Sequence, residues 1–218
     1  MNHSLRPTTT LALIALTSLG VFALPASGQT AQKTPTRVAH SSKAELATGT
    51  WSVDKAHTDI AFTVAHLGVS KTRGSFTDFD GTVIADGKKP ENSSIQFTIK
   101  TASINTGNSA RDEHLRSKDF FETDKYPEIT FKSTKVTKRK DGFTATGNLT
   151  MHGVTRQVSL PFTVTGPQKG FKGELHMGVE TSVALNRKDY GLTWNNLVEG
   201  TQAVGDTVTV TISMELLK

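Results

Sequence analysis

The stretch "DTVTVTISMEL", residues 206–216, alternates apolar and polar side chains over its whole length. Its apolar side chains belong to Val208, Val210, Ile212, Met214 and Leu216, whereas threonine, serine and glutamate occupy the positions between them. Successive side chains of an extended strand point to opposite faces, so this pattern predicts a β-strand with one buried and one wet face. Such strands are typical of antiparallel sheets.

The same alternation recurs along the chain, in "IAFTVAH" (60–66), "SIQFTIKT" (94–101), "EITFKS" (128–133), "GFTATGNLTM" (142–151), "VTRQVSLPFTV" (154–164) and "FKGELHMGVETSV" (171–183). Turn-forming pairs such as Asp80-Gly81, Asp86-Gly87 and Asp141-Gly142 separate these runs. With further strands around Trp51 and in "GSFTDF" (74–79), about eight strands are expected, a number that closes into a small antiparallel barrel. Periodicity alone leaves a two-sheet sandwich open as the alternative.

The first 28 residues have the layout of a secretory signal peptide. They carry one cation, Arg6, then the apolar run 11–24, then Ala26 and Gly28 as small residues before a cleavage site. Residues 29–48 are polar and predict a disordered linker, so the folded domain is expected to span 49–218. The expected location is the bacterial periplasm, without stable insertion into the membrane.

Composition excludes several classes of function. The chain has no cysteine, which rules out a disulfide scaffold, a thiol nucleophile and zinc–thiolate sites. Its net charge of +5 is spread along the sequence, with no basic stripe interleaved with aromatic residues, so nucleic acid is not an expected partner.

Residues 109–121 predict the one long helix, with Ser109 as its N-cap and Pro127 preventing its continuation beyond Tyr126. On a helical wheel His114 and Phe121 share one row, so His114 is expected to point roughly inward. One interpretation is a helix that closes the barrel, with His114 hydrogen-bonded beneath it. The other is that His114 and Arg111 contact the head group of a ligand.

No catalytic motif is present. The sequence lacks the nucleophile elbow, the zinc-protease motif and the phosphate-binding loop. His57, His66 and His114 lie on different elements without tight ligand spacing, so the sequence favours neither a metal nor a cofactor. The residues by themselves therefore predict a secreted β-barrel or sandwich with a helix over one end and no catalytic signature.

Four blocks of sequence carry a family resemblance: "WSVDKAHTDIAFTVAHLGVSKTRGSFTDFDGTV" (51–83), "SARDEHLRSKDFFETDKYPEITFKST" (109–134), "GNLTMHGVTRQVSLPF" (147–162) and "NRKDYGLTW" (186–194). In this order they resemble the YceI family of bacterial periplasmic polyisoprenoid-binding proteins. The second block is the most specific, and Thr58 stands where the family usually has serine. The resemblance implies an eight-stranded, lipocalin-like antiparallel barrel that holds an isoprenoid or another long-chain amphiphilic lipid.

The expected ligand-binding residues combine strand positions on the bulky side of each alternation with polar candidates near the mouth: Phe62, His66, Phe97, Ile99, Arg111, His114, Phe121, Phe131, Leu149, Leu160 and Phe162. The expected function is non-catalytic binding of such a lipid, as a carrier or by sequestration, and two alternatives stay open. One is an enzyme acting on a lipid-like substrate with His66 or His114 as the base, and the other is a structural or envelope-stress protein with an incidental cavity. The sequence leaves a homodimer open as well.

Overall fold

The computed structural model describes residues 45–218, and the predicted signal peptide lies outside them. Their strands, in chain order, are β1 Gly49–His66, β2 Ser70–Phe76, β3 Phe79–Ala85, β4 Ser94–Lys100, β5 Ile104–Asn105, β6 Glu128–Arg139, β7 Gly142–Met151, β8 Val154–Lys169, β9 Leu175–Asn186, β10 Leu197–Val198, β11 Thr201–Gln202 and β12 Val204–Leu217. Helix α1 is Ser109–Arg116, and short 3₁₀ turns are Pro90–Asn92, Thr101–Ser103 and Arg187–Tyr190.

Eight of these strands close a barrel. They follow the order β12-β9-β8-β7-β6-β4-β3-β1, each antiparallel to the next, and β1 pairs back with β12. Phe62 lies opposite Val210 in that closing ladder, so the alternation of both strands places their apolar side chains on the same inner face. The predicted antiparallel barrel is confirmed, with one α-helix in the part of the chain that the structure describes, and the two-sheet sandwich is excluded.

Strand β1 is long enough to change its partner along one edge. Its beginning pairs with β3 and its end pairs with β2, which in turn pairs with β5. At the end of the barrel where β1 finishes, β2 therefore replaces β3 as the neighbour of β1. That end, which also carries α1 and the loop 187–203, is called the helix end below.

The opposite end of the barrel, where β1 begins, is closed by packed side chains and is called the packed end. Trp51 is fully buried there, and its indole Nε1 donates to the Ala47 carbonyl oxygen at 2.9 Å. Leu46 is also buried, and Lys218 Nζ donates to the carbonyl oxygen of Thr48. The boundary predicted at Gly49 is therefore too late, because residues 45–48 of the expected linker pack as part of the domain.

Helix α1 is shorter than predicted, ending at Arg116 instead of Phe121. Asn108 rather than Ser109 is the N-cap, since its side chain accepts the Arg111 amide at 3.0 Å. At the other end, the Ser117 hydroxyl donates to the His114 carbonyl, and Glu122 has a positive φ of 46°. Local side-chain bonding and a left-handed residue thus replace the last turns of the expected helix.

Asp112 and Arg116, although four residues apart on α1, do not pair with each other. Asp112 is buried and accepts hydrogen bonds from the amide and the hydroxyl of Thr106, whereas Arg116 donates to the carbonyl oxygens of Ala102 and Ile104. Both side chains therefore fasten the helix to the chain that precedes it.

Arg116→Ala is expected to lower the free energy of unfolding by about 1–3 kcal/mol, because it leaves two carbonyl oxygens without their charged donor. Urea denaturation measures this loss. Lys118→Ala, two positions on in an exposed site, is the control and should cost less than about 0.5 kcal/mol. Equal, small losses in the two variants would show that Arg116 does not hold the helix.

Candidate functional site: an apolar cavity inside the barrel

A cavity of about 250 Å³ lies inside the barrel. Its lining extends from Trp51's neighbours Leu46 and Met177 at the packed end to Leu115 and Leu192 at the helix end. Along β7 alone the lining runs from Ala145 to Met151, roughly 20 Å of strand at about 3.3 Å per residue. A small volume spread over this length is a narrow tunnel, which suits one extended chain better than a bulky ring system.

The tunnel is apolar because every strand of the barrel contributes its inward-facing positions. Within residues 45–218, only Ser93, Thr181 and Arg187 bring polar side chains to the lining. Among the described residues 45–218, no histidine, aspartate, glutamate or lysine lines it. The tunnel can therefore exclude water and bury hydrocarbon, but it offers no proton-transfer group.

Eight of the eleven residues expected to bind a ligand lie in this lining: Phe62, Phe97, Ile99, Phe121, Phe131, Leu149, Leu160 and Phe162. Phe121 comes from the segment that follows α1, and its ring packs edge-on against Phe76 at 5.9 Å between centroids. Phe62 packs on the other side of Phe76 at the same centroid distance. The two elements of the helix end are thus joined to the barrel wall by aromatic contacts.

His66 was expected at the point where the tunnel meets polar ground, and it is not part of the lining. It is the last residue of β1 and is exposed to solvent at the rim of the barrel. Alternation along a strand predicts which face of the sheet a side chain occupies. It does not predict whether that residue lies in the middle of the barrel or at its rim, where neighbouring strands no longer cover it.

Arg111 and His114, expected as head-group contacts, also lie outside the lining. The Arg111 guanidinium donates to the hydroxyl and the carbonyl oxygen of Thr106, which secures the turn before α1. His114 Nε2 lies 3.0 Å from Asp119 Oδ2, with the ring against Trp194 at 4.8 Å between centroids. The polar atoms of both side chains therefore bond within the segment around α1, and contact of either residue with a ligand head group stays a prediction.

Arg187 is the one charged residue of the lining within residues 45–218, and the sequence did not predict it as a ligand-binding residue. It is 4% exposed, and it donates to the carbonyl oxygens of Leu192, Trp194, Val204 and Gly205. Burial lowers the pKa of Arg187, while nearby Asp206 acts in the opposite direction. An arginine remains charged in proteins, so the guanidinium places a fixed positive charge at the helix end of the tunnel.

The signal for Arg187 was visible in "NRKDYG", where an arginine follows directly on an alternating run. Asp189, two residues further in the same stretch, is not the ion-pair partner of Arg187. The partner is instead Asp206, at 3.5 Å from Nη2, because β9 and β12 are neighbours in the barrel. Asp206 lies 19 residues from Arg187, so a local sequence pattern cannot predict their pairing.

The residues described include no helix of the length and apolar character that a membrane crossing requires.

Comparison with known proteins places these features in a family. The model of the YceI-like domain matches residues 51–216. The UPF0312 protein YE1254 of Yersinia enterocolitica is 40% identical over 145 residues, which cover 66% of this chain and 76% of that protein.

Two solved structures share the fold. The crystal structure of the Campylobacter jejuni YCEI protein is 33% identical, with a TM-score of 0.61, and the match covers 76% of this chain and 96% of that chain. A polyisoprenoid-binding domain from Saccharophagus degradans, implicated in plant cell wall breakdown, is 18% identical, with a TM-score of 0.59 and coverage of 76% and 97%. The second likeness concerns the fold alone.

Proposed function

Since this chain belongs to the YceI-like domain family, we propose that it binds a polyisoprenoid or a similar long-chain amphiphilic lipid in the barrel, without chemical turnover. The observation that carries this proposal is the narrow apolar tunnel of about 250 Å³ inside the barrel. The polyisoprenoid-binding domain of Saccharophagus degradans, which has the same fold, supports the choice of ligand class.

Burial of the chain would supply most of the affinity. Each CH₂-sized group transferred from water contributes about 0.8 kcal/mol, against a substantial cost in lost translational and rotational freedom. The tunnel offers almost no hydrogen-bonding groups, so it selects for length and slenderness rather than for a pattern of donors and acceptors. A carrier or a sequestering protein fits such broad recognition.

Absence of turnover is supported by the same lining. A mechanism with a histidine base needs His66 or His114 beside the bound lipid chain. Neither residue is part of the tunnel lining. The third alternative, a structural protein with an incidental cavity, differs from a carrier only in whether a lipid occupies the tunnel. Competition between a lipid and a bulky side chain tests that difference.

Leu160→Trp is expected to reduce retention of an added long-chain polyprenol by at least about tenfold, because the indole would occupy space that the chain needs. Leu160 lines the tunnel midway along β8. Retention is measured by incubating purified protein with the polyprenol in detergent, removing micelles and quantifying the alcohol bound to the protein.

The matched control is Ile84→Trp, which adds the same side chain at an exposed position of β3. It should retain the polyprenol like the parent protein. If Leu160→Trp instead keeps full binding, or if the parent binds none and the variant loses about 1–3 kcal/mol through overpacking, the tunnel is a filled core and the proposal fails.

We also propose that the protein acts in the periplasm after removal of residues 1–28. The basis is the arrangement of Arg6, the apolar run and the small residues Ala26 and Gly28. Intact-mass measurement of the protein from the periplasmic fraction of a Gram-negative host should give a chain that begins at Gln29. A mass that retains residues 1–28, found in the membrane fraction, would contradict export by cleavage.

A further inference from the structure

We propose that Asp54, His57 and Glu215, on the outer surface of the barrel, form a binding site for a divalent transition metal ion of the zinc type. One ligand atom from each of these three residues lies within 4.8 Å of the other two. The site is separate from the tunnel, whose lining contains none of the three. Metal binding here therefore does not depend on lipid binding.

The fold brings the three residues together through an irregularity in one ladder. Asp54 lies opposite Glu215 in the β1–β12 pairing, but the next regular pair is Asp59 with Ser213. Four residues separate Asp54 from Asp59 on β1, whereas one residue separates their partners Glu215 and Ser213 on β12. The extra residues make the β1 backbone bulge outward. The Ala56 amide donates to Asp54 Oδ1 within this bulge, which returns His57 toward Asp54.

The donor atoms match what zinc prefers. Zinc binds imidazole nitrogen and carboxylate oxygen at about 2.0–2.2 Å, so two of its ligand atoms lie at most about 4.4 Å apart. His57 Nδ1 is already 2.7 Å from Asp54 Oδ2. Because the His57 side chain is 66% exposed, a small rotation can admit an ion between the two groups.

Outer contacts orient the third ligand. His176 Nδ1 lies 2.5 Å from Glu215 Oε1, and His176 Nε2 lies 3.2 Å from Glu174 Oε1. The Glu215 amide also donates to the Thr58 hydroxyl. Ligands that are held by a second layer of hydrogen bonds are characteristic of metal sites, because that layer limits the loss of side-chain freedom on binding.

Charge favours a cation at this place. Asp54, Glu174 and Glu215 are three carboxylates, and no lysine or arginine within residues 45–218 forms an ion pair with any of them.

The sequence alone does not predict this site, because Asp54 and Glu215 are far apart along the chain and His57 is not spaced for a known metal motif. His57, considered above together with His66 and His114, lies instead beside Asp54 of β1 and Glu215 of β12.

Isothermal titration of the untagged, chelator-treated protein with zinc chloride tests the proposal. The parent protein should bind one zinc ion per chain at this site. His57→Gln and Glu215→Gln should each weaken binding by more than about 100-fold, and His176→Gln by roughly 10–100-fold, as expected for an outer-layer residue. His66→Gln removes an exposed histidine at the opposite end of β1 and should leave the affinity unchanged.

Magnesium chloride provides a second comparison, because magnesium prefers oxygen ligands and should not respond to the loss of an imidazole. Circular dichroism verifies that each variant is folded before titration. Absence of zinc binding in the parent, unchanged affinity in both His57→Gln and Glu215→Gln, or magnesium binding as tight as that of zinc would each overturn the proposal.

Discussion

Replacing Trp51 by alanine is expected to lower the free energy of unfolding by about 3–5 kcal/mol. The side chain has no exposed surface, and it packs at the packed end of the barrel in the cluster that includes Val136, Phe143, Met177 and Leu216. Removing the indole would leave a cavity, because the surrounding strands are fixed in the hydrogen-bonded barrel and cannot move inward to fill it. The hydrogen bond from its Nε1 to Ala47 would be lost as well.

Urea denaturation followed by far-ultraviolet circular dichroism measures this loss, as a lower midpoint with an unchanged slope. Phe171→Ala is the matched control, because it also removes an aromatic ring, at a position that is fully exposed between β8 and β9. That variant should stay within about 0.5 kcal/mol of the parent. Similar losses in the two variants would mean that the packed end is not the rigid closure described above.

Arg187→Ala is expected to cost about 3–5 kcal/mol as well, through lost hydrogen bonds rather than lost packing. The guanidinium holds the chain from Leu192 to Gly205 by bonds to four carbonyl oxygens, among them that of Trp194 at 2.8 Å. Without the guanidinium these oxygens remain partly buried and lack donors. The loop that covers the helix end of the tunnel should therefore loosen.

Lys188→Ala is the control for Arg187→Ala. Lys188 is the next residue along the chain and also pairs with Asp206, at 2.9 Å, but both partners are partly exposed, so the pair should contribute less than about 1 kcal/mol. Urea denaturation compares the two variants, and hydrogen exchange of residues 192–205 reports the loop directly. Unchanged exchange in Arg187→Ala would show that the loop is held by other contacts.

The fold was accessible from the sequence because alternation is a local property. The run Val208 to Leu216 and the run that contains Phe62 each assign an inner face by themselves, and antiparallel ladders then bring the two faces together. The tunnel lining followed for the same reason, since Phe97, Phe131 and Leu160 each lie on the bulky side of their own strand. Their contact with a ligand remains a prediction.

The polar features were less accessible because they depend on distant neighbours. His66 has the inward parity of Phe62, yet it lies where β1 ends, and parity carries no information about that position. The end of α1 is set by Ser117 and by the left-handed Glu122, which a helical wheel does not register. Arg187 reaches the carbonyl oxygens of Val204 and Gly205 because β9 and β12 are neighbours in the barrel.

The central claim, that the barrel holds a long-chain lipid, is tested most directly by organic extraction of the protein purified from its native host, followed by mass spectrometry of the extract. The account predicts a polyisoprenoid or another long-chain amphiphile in near-stoichiometric amount, unmodified after prolonged incubation, and absent from Leu160→Trp purified in the same way. Extracts of the parent protein that contain no lipid above the level found with Leu160→Trp would contradict it.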